Sequence, residues 1–301
     1  MNRSRSLIAA AGCALALCGA AAAPASADSI AYVKNGDVHL ATPDGSRHYQ
    51  VTFTGGYDSV SQDDAGRLVA VHGNRIAHLE RDGRVISDIL TPVSDPGGTR
   101  QFFGPYDAQV SPNGKKVSYT YYWKYIAPDP ACNPSWGCYL HRQYHGTAYT
   151  DPDRLTAWDE PGYRRRTGWI HASWMNDEQQ ILSDPYMKPN EDLVFDSPGL
   201  PEAQGLKRWA EHVQAKQMED GEITRDRHKM AYITGDDQER VWFYNLRTGF
   251  YPDYPSSCTA YEINGPAGRF SDLTWSPSGA HLGYADNDGV HTVAIPAFGT
   301  A

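Results

Sequence analysis

"SPNGKKVSYT" (Ser111–Thr120) and "SPSGAHLGYA" (Ser276–Ala285) are one phrase written twice in a single chain. Each copy runs Ser-Pro, a turn residue and Gly, then a short alternating strand that reaches an aromatic residue. Proline presets one backbone dihedral of a tight turn and glycine accepts a positive one, so the residue types are those of a turn feeding a strand. The duplication asks for more, because self-similarity at a distance marks a repeat architecture. Strands of the same kind recur as "IAYV" at Ile30, "LVAV" at Leu68, "ILSD" at Ile181 and "MAYI" at Met230. An apolar or aromatic residue precedes each turn: Val60, Val110, Trp174, Ile223 and Trp275.

A further strand follows in "DVHLATPDG" from Asp37, "RIAHLERDG" from Arg75, "RVWFYNLRTG" from Arg240 and "GVHTVAIP" from Gly289. "YQVTF" at Tyr49 and "RVISDIL" at Arg84 supply outer strands. Three to four short strands per unit of roughly 45 residues, repeated about six times, describe an all-β chain closed radially as a six-bladed β-propeller. Radial closure also removes the open sheet edges that invite aggregation. The one helix pattern is "PEAQGLKRWAEHVQAKQ" at Pro201–Gln217, expected as a short helix within a loop.

The two Ser-Pro-x-Gly turns, the strands "VSYT" and "LGYA", and "DVHLATPDG" resemble the WD-like repeats of the TolB-type propeller. The resemblance covers most of the chain after its leader and is weakest in the fourth and fifth units. It implies a protein-binding or scaffold role outside the cytoplasm. The repeats begin directly after the leader, where TolB has a separate N-terminal domain, so docking to an outer-membrane lipoprotein does not carry over. Fold resemblance alone does not fix function.

Residues 1–27 read as a secretory signal peptide: a basic start at Arg3 and Arg5, an apolar run from Leu7 to Ala23, and small residues at Ala25–Ala27. Cys13 and Cys18 in that run leave a lipid anchor open. Residues 28–301 are then expected as a single propeller domain, secreted or periplasmic, monomeric, with no membrane span after cleavage. The chain is acidic, at −9 net, and losing the basic leader makes it more so. Its only basic cluster is "RRR" at Arg164–Arg166, which argues against nucleic acid as a partner.

The longest interval between units contains "WKYIAPDPACNPSWGCYLHRQYHG", expected as an inserted loop at about 124–150. Loops of that length are functional or disordered. Cys132 and Cys138 read as a disulfide in an exported chain, leaving Cys258 odd. Trp123, Tyr125, Trp136 and Tyr139 make the insertion a candidate recognition surface for a protein or glycan; equally, they would cover the outer end of a blade. The Trp residues of "GWIHASW" and "AWDEPG" read as core wedges between blades. No Gly-x-Ser-x-Gly elbow, His-Glu-x-x-His pair or phosphate-cradling glycine loop occurs. "DNDG" at Asp286–Gly289 begins like a calcium loop but lies between strands, as a hairpin turn does.

Four residues before the aligned turn position stand Asp107, His171, Asp220 and Asp272, and in the second unit Asp58 stands three before the aligned Ser61. One residue type at one register of each innermost strand would ring the channel mouth. Such a ring would suit a cation, calcium among them, or a cationic ligand, with no other cofactor implied. The plainer reading is that each aspartate hydrogen-bonds its own inter-blade loop. The sequence therefore points to a non-catalytic binding scaffold, with a propeller enzyme of glycosidase, lyase or lactonase type as the alternative.

Overall fold

In the computed structural model the described residues are 29–90, 100–128, 139–153, 166–183, 193–198, 200, 207–208, 218–226, 228–234, 240–245, 259–264 and 270–295. They form six antiparallel sheets that follow one another along the chain. The first holds β1 (Ile30–Lys34), β2 (Asp37–Ala41) and β3 (His48–Gln50). The second holds β4 (Tyr57–Gln62), β5 (Leu68–His72), β6 (Arg75–Leu79) and β7 (Val85–Leu90). The third holds β8 (Arg100–Val110), β9 (Val117–Pro128), β10 (Tyr139–Thr150) and β11 (Arg166–Thr167). The fourth holds β12 (Ile170–Trp174), β13 (Gln180–Ser183), β14 (Leu193–Asp196) and β15 (Lys207–Arg208). The fifth holds β16 (Met218–Ile223), β17 (Lys229–Thr234), β18 (Arg240–Asn245) and β19 (Thr259–Asn264). The last holds β20 (Ser271–Trp275), β21 (His281–Asp286) and β22 (Gly289–Ala294). No helix among the described residues is long and apolar enough to cross a membrane.

The duplicated phrase is a turn that closes on itself. The Ser111 N–H donates to the Lys116 carbonyl at 2.8 Å, and the Lys116 N–H returns to Ser111 Oγ at 3.0 Å. Ser276 and His281 repeat both bonds, as do Thr224 and Lys229. Gly114 and Gly279 sit at φ of 72° and 65°, where any side chain would be strained. A Cβ on Gly114 would also lie 2.3 Å from Asp63 Oδ2 of the preceding sheet.

Each turn returns the chain into a strand packed on both faces. Leu68, Val69, Ala70 and Val71 of β5 are all buried, which is why these second strands read as unbroken apolar runs. Val38, Leu40, Leu68 and Leu79 fill the space between the first two sheets. Val71, Ile76, Val110 and Tyr121 fill the next, and Val241, Phe243, Phe270 and Leu282 that between the last two. Burying each such aliphatic side chain is worth about 1.5–3 kcal/mol, so the cores lie between sheets rather than within one.

Neighbouring innermost strands are also tied by directed bonds. The Trp174 indole N–H donates to the Gln109 carbonyl at 3.0 Å, and that of Trp275 to the Glu222 carbonyl at 3.1 Å. These two tryptophans are wedges between sheets. Thr292 Oγ1 donates to the Pro43 carbonyl at 2.7 Å and joins the last sheet to the first.

The expected insertion at about 124–150 takes a different form from a loop. Val117–Pro128 pair continuously with Tyr139–Thr150, so most of it is a long hairpin of the third sheet. Alternating aromatic and polar residues there satisfy a strand pattern as well as a loop composition. Within the helix pattern at Pro201–Gln217, Lys207 and Arg208 pair with β14 as a short strand, so tertiary pairing overrides local propensity at those positions. Residues 1–27, Cys132, Cys138, Trp136 and Cys258 lie outside the described residues. "DNDG" is the β21–β22 hairpin turn, with the Asp288 and Gly289 amides donating to Asp286 Oδ1.

Candidate functional site

Each innermost strand from β4 to β20 carries a β-bulge, near its start in all but the long β8, whose irregularities flank Tyr106. An extra residue in a strand re-aims its neighbours, which is how bulges build sites at sheet rims. Asp107, His171 and Asp272 occupy their bulges with φ of 46°, 51° and 53°, rare for residues with side chains. The repeated geometry puts corresponding side chains at one register on successive sheets.

Four of the five residues named from sequence meet there. His171 Nδ1 lies 3.2 Å from Asp107 Oδ2, and Gln109 donates to the other Asp107 oxygen at 3.0 Å. The Leu273 amide of the next sheet donates to Asp220 Oδ2 at 2.9 Å, and Ser271 donates to Asp272 Oδ2 at 2.8 Å. Asp220 thus binds the neighbouring sheet's innermost strand, not its own inter-blade loop as the plainer reading expects. It nonetheless shares the field of the others.

That field is visible in the titration directions. Burial pulls the His171 imidazole down, but the hydrogen bond and charge of Asp107, with the charges of Asp220 and Asp272, raise it above the usual range. Burial opposes ionisation of Asp107, yet the His171 contact holds it below the usual carboxylate range. Asp220 is pushed up to about 6, chiefly by burial, with the Asp107 and Asp272 charges adding to it. The side chains of His171 and Asp107 remain 39% and 29% exposed, so solvent and solutes reach them.

Asp58 does not join this ring. It is exposed and sits in the bulge itself, between the paired residues Tyr57 and Ser59. The turn after β4 starts at Asp63, whose amide donates to the Arg67 carbonyl as that of Ser111 does to Lys116. Four residues before Asp63 is Ser59, which therefore holds the ring register in the second sheet; its Oγ is buried without a hydrogen-bond partner. Counting from Ser61 placed the register one residue early, because "SQDDAG" looks like the other turns but begins later.

Glu222 was not singled out by sequence. It lies two residues inside Asp220, accepts a short hydrogen bond from Ser173 Oγ of the neighbouring sheet, and is raised well above the usual range by burial and then by the Asp220 charge. A carboxyl two positions along from a ring aspartate was the available signal. Among the described residues no group of three or more His, Cys, Asp or Glu side chains is arranged to hold a metal ion, so the geometry gives calcium no support.

The opposite mouth is cross-tied. The Arg225 guanidinium, in the fifth sheet's turn, pairs with both carboxylate oxygens of Asp64 in the second sheet's turn. Lys116 Nζ bonds the Asp177 carbonyl and Glu178, and the Asn113 amide donates to Asp177 Oδ1.

Of the insertion aromatics, Trp123 stacks between Phe102 at 6.3 Å and Tyr144 at 4.4 Å, with Phe102 and Trp123 packed on the core between the second and third sheets. Tyr125 meets Trp123 edge-on at 6.4 Å, and the backbone of Tyr139 pairs with Pro128. Trp123 therefore covers the core rather than projecting free.

No family model and no curated protein matches this chain. Solved structures do. The Cps50 (Swd1) β-propeller domain of Myceliophteria thermophila superposes with a TM-score of 0.53 at 10% identity, covering 90% of this chain and 94% of that one. A chain of the mitotic checkpoint complex gives 0.51 at 10% identity, covering 90% and 87%. A Xanthomonas campestris gluconolactonase, XC5397, gives 0.51 at 12% identity, covering 89% and 82%. At these identities the likeness concerns fold alone, and the fold is an all-β propeller.

Proposed function

We propose that this chain is an exported, six-bladed, TolB-type propeller that acts as a non-catalytic binding scaffold for a protein or glycan through the mouth carrying Asp107, His171, Asp220 and Asp272. The six sheets in chain order and the bond between the last and first sheets support the blade count. The leader sequence supports secretion to an extracytoplasmic space, where Cys132 and Cys138 would oxidise. One observation carries the functional reading: charged, reachable groups converge at one mouth while the other is tied by its own turns. Three carboxyl groups against one imidazole favour a ligand that brings positive charge.

Photo-cross-linking tests it. A photoreactive residue at Ser271, beside the ring, should trap a discrete adduct in cells that export the chain, and one at Lys115, on the tied mouth, should not. Equal adducts at both positions would remove the assigned face. Turnover of lactones or glycosides by the purified chain, abolished by Asp107→Asn, would establish the propeller-enzyme alternative instead.

A further inference from the structure

Above the ring the third sheet rises as a wall. β8 shifts register between Phe103 and Tyr106 and again between Tyr106 and Gln109; beyond those bulges β8, β9 and β10 pair in step, with Phe103 opposite Tyr122 and Tyr122 opposite His145. One row further from the ring, Gln101, Lys124 and Gln143 stand side by side. Successive residues of a strand alternate between faces. One face of this wall, with Phe102 and Trp123, packs on the core between the second and third sheets.

The other face is turned outward. Phe103 and Tyr106 are 40% and 45% exposed, the Lys124 ammonium lies 5.4 Å over the Phe103 ring, and Tyr106 meets Tyr122 edge-on at 5.6 Å. Tyr106 directly precedes Asp107, so the aromatic face ends at the bulge that carries the ring residue. The geometry points to this face as a docking track for an extended segment of a partner protein that carries a lysine or arginine at its ring end. The inference rests on the reading of the ring as the binding mouth.

Charge fixes the occupant and its direction. The track is acidic at its base, at Asp107, and cationic at its top, at Lys124; a segment with a basic residue at one end and an acidic one at the other complements both. On the unbulged partner strand β9 the track runs from Lys124, opposite Gln101, to Thr120, opposite Tyr106, about 13 Å at roughly 3.3 Å per residue, and Asp107 lies one residue further, so an extended segment of about five residues spans it. Apolar or aromatic residues in its middle would cover Phe103 and Tyr106, the kind of aromatic anchor on which binding energy concentrates. A neutral glycan would stack on the same rings but gains nothing from the charge gradient, so the protein segment is favoured.

Selection of random twelve-residue peptides displayed on phage against the mature chain, without its leader, tests this. Enriched peptides should share a lysine or arginine followed or preceded by apolar residues. A synthetic copy should bind the Phe103→Ser/Tyr106→Ser variant about tenfold more weakly, and Asp107→Asn by a similar factor. Lys124→Glu, a change at an exposed position outside the buried core, should weaken it about threefold and guards against misfolding of the double variant. Peptides sensitive to Asp107→Asn but indifferent to both wall variants would overturn the track and leave the ring reading standing. Indifference of enriched peptides to all three would remove both, and no enrichment would overturn the track alone. Binding of neutral glycans lost on Phe103→Ser/Tyr106→Ser would also overturn the protein segment.

Discussion

His171 Nδ1 stands 3.2 Å from Asp107 Oδ2, each residue in a bulge of its own innermost strand and each with positive φ. The pair makes stability depend on pH in a bounded window. The raised imidazole contributes fully below its unfolded value, near 6.5, and loses that contribution as pH rises through the higher folded value. The depressed carboxylate contributes above its unfolded value, near 3.8, and loses that as pH falls through the lower folded value. Between about pH 4 and 6.5 both contributions are present. His171→Gln should therefore cost about 1 kcal/mol at pH 5.5 and less at pH 9. NMR titration of the His171 imidazole should show it falling toward the ordinary range in Asp107→Asn.

Asp220 has the opposite sign. A carboxyl raised to about 6 favours folding while protonated and opposes it increasingly as pH climbs from about 4 through 6. Asp220→Asn keeps an acceptor for the Leu273 amide and removes the charge. Thermal unfolding should show a gain of about 1–2 kcal/mol at pH 7.5 and almost none at pH 4. Equal gains at both pH values would assign the effect to packing.

The third and fourth sheets share a buried lock. Arg166 Nε lies 2.6 Å from Asp196 Oδ1 with both side chains fully buried, and Tyr149 and Gln180 donate to the other Asp196 oxygen. Removing one partner of a buried ion pair leaves an uncompensated charge. Arg166→Met should cost about 3–5 kcal/mol in denaturant unfolding, and adding Asp196→Leu should recover part of that loss. A double variant no more stable than the single one would contradict the lock.

The indole bond between the fifth and sixth sheets has a simpler test. Trp275→Phe deletes the N–H donated to the Glu222 carbonyl while keeping a ring against Phe243. It should cost about 1–2 kcal/mol by calorimetry, more than a comparable change at the exposed Tyr49.

The fold was legible because its signals are local. Buried strands such as Leu68–Val71 recur from unit to unit, and Ser-Pro-x-Gly turns and the wedges Trp174 and Trp275 mark the same positions in two units each. Of the five residues aligned from sequence, the structure brings Asp107, His171, Asp220 and Asp272 into one another's field and leaves Asp58 apart. Asp58 missed because turn length varies: the hydrogen-bonded turn of the second sheet starts at Asp63, two residues after the Ser61 used for alignment, and the bulge then puts Ser59 in register. Glu222 and the Phe103–Tyr106 face went unseen because their roles depend on which neighbouring sheet they meet. The insertion looked like a loop because Pro and Gly dominate its middle, while the pairing of Val117–Pro128 with Tyr139–Thr150 is a long-range fact.

The central claim is that the ring-bearing mouth binds a positively charged ligand. Affinity of the cross-linked partner for the wild-type chain and for Asp107→Asn/Asp272→Asn, measured at low and physiological salt, tests it most directly. At least about tenfold weakening is expected in the variant, with a salt dependence shallower than in the wild type. Affinity and salt dependence unchanged by the two substitutions would contradict it.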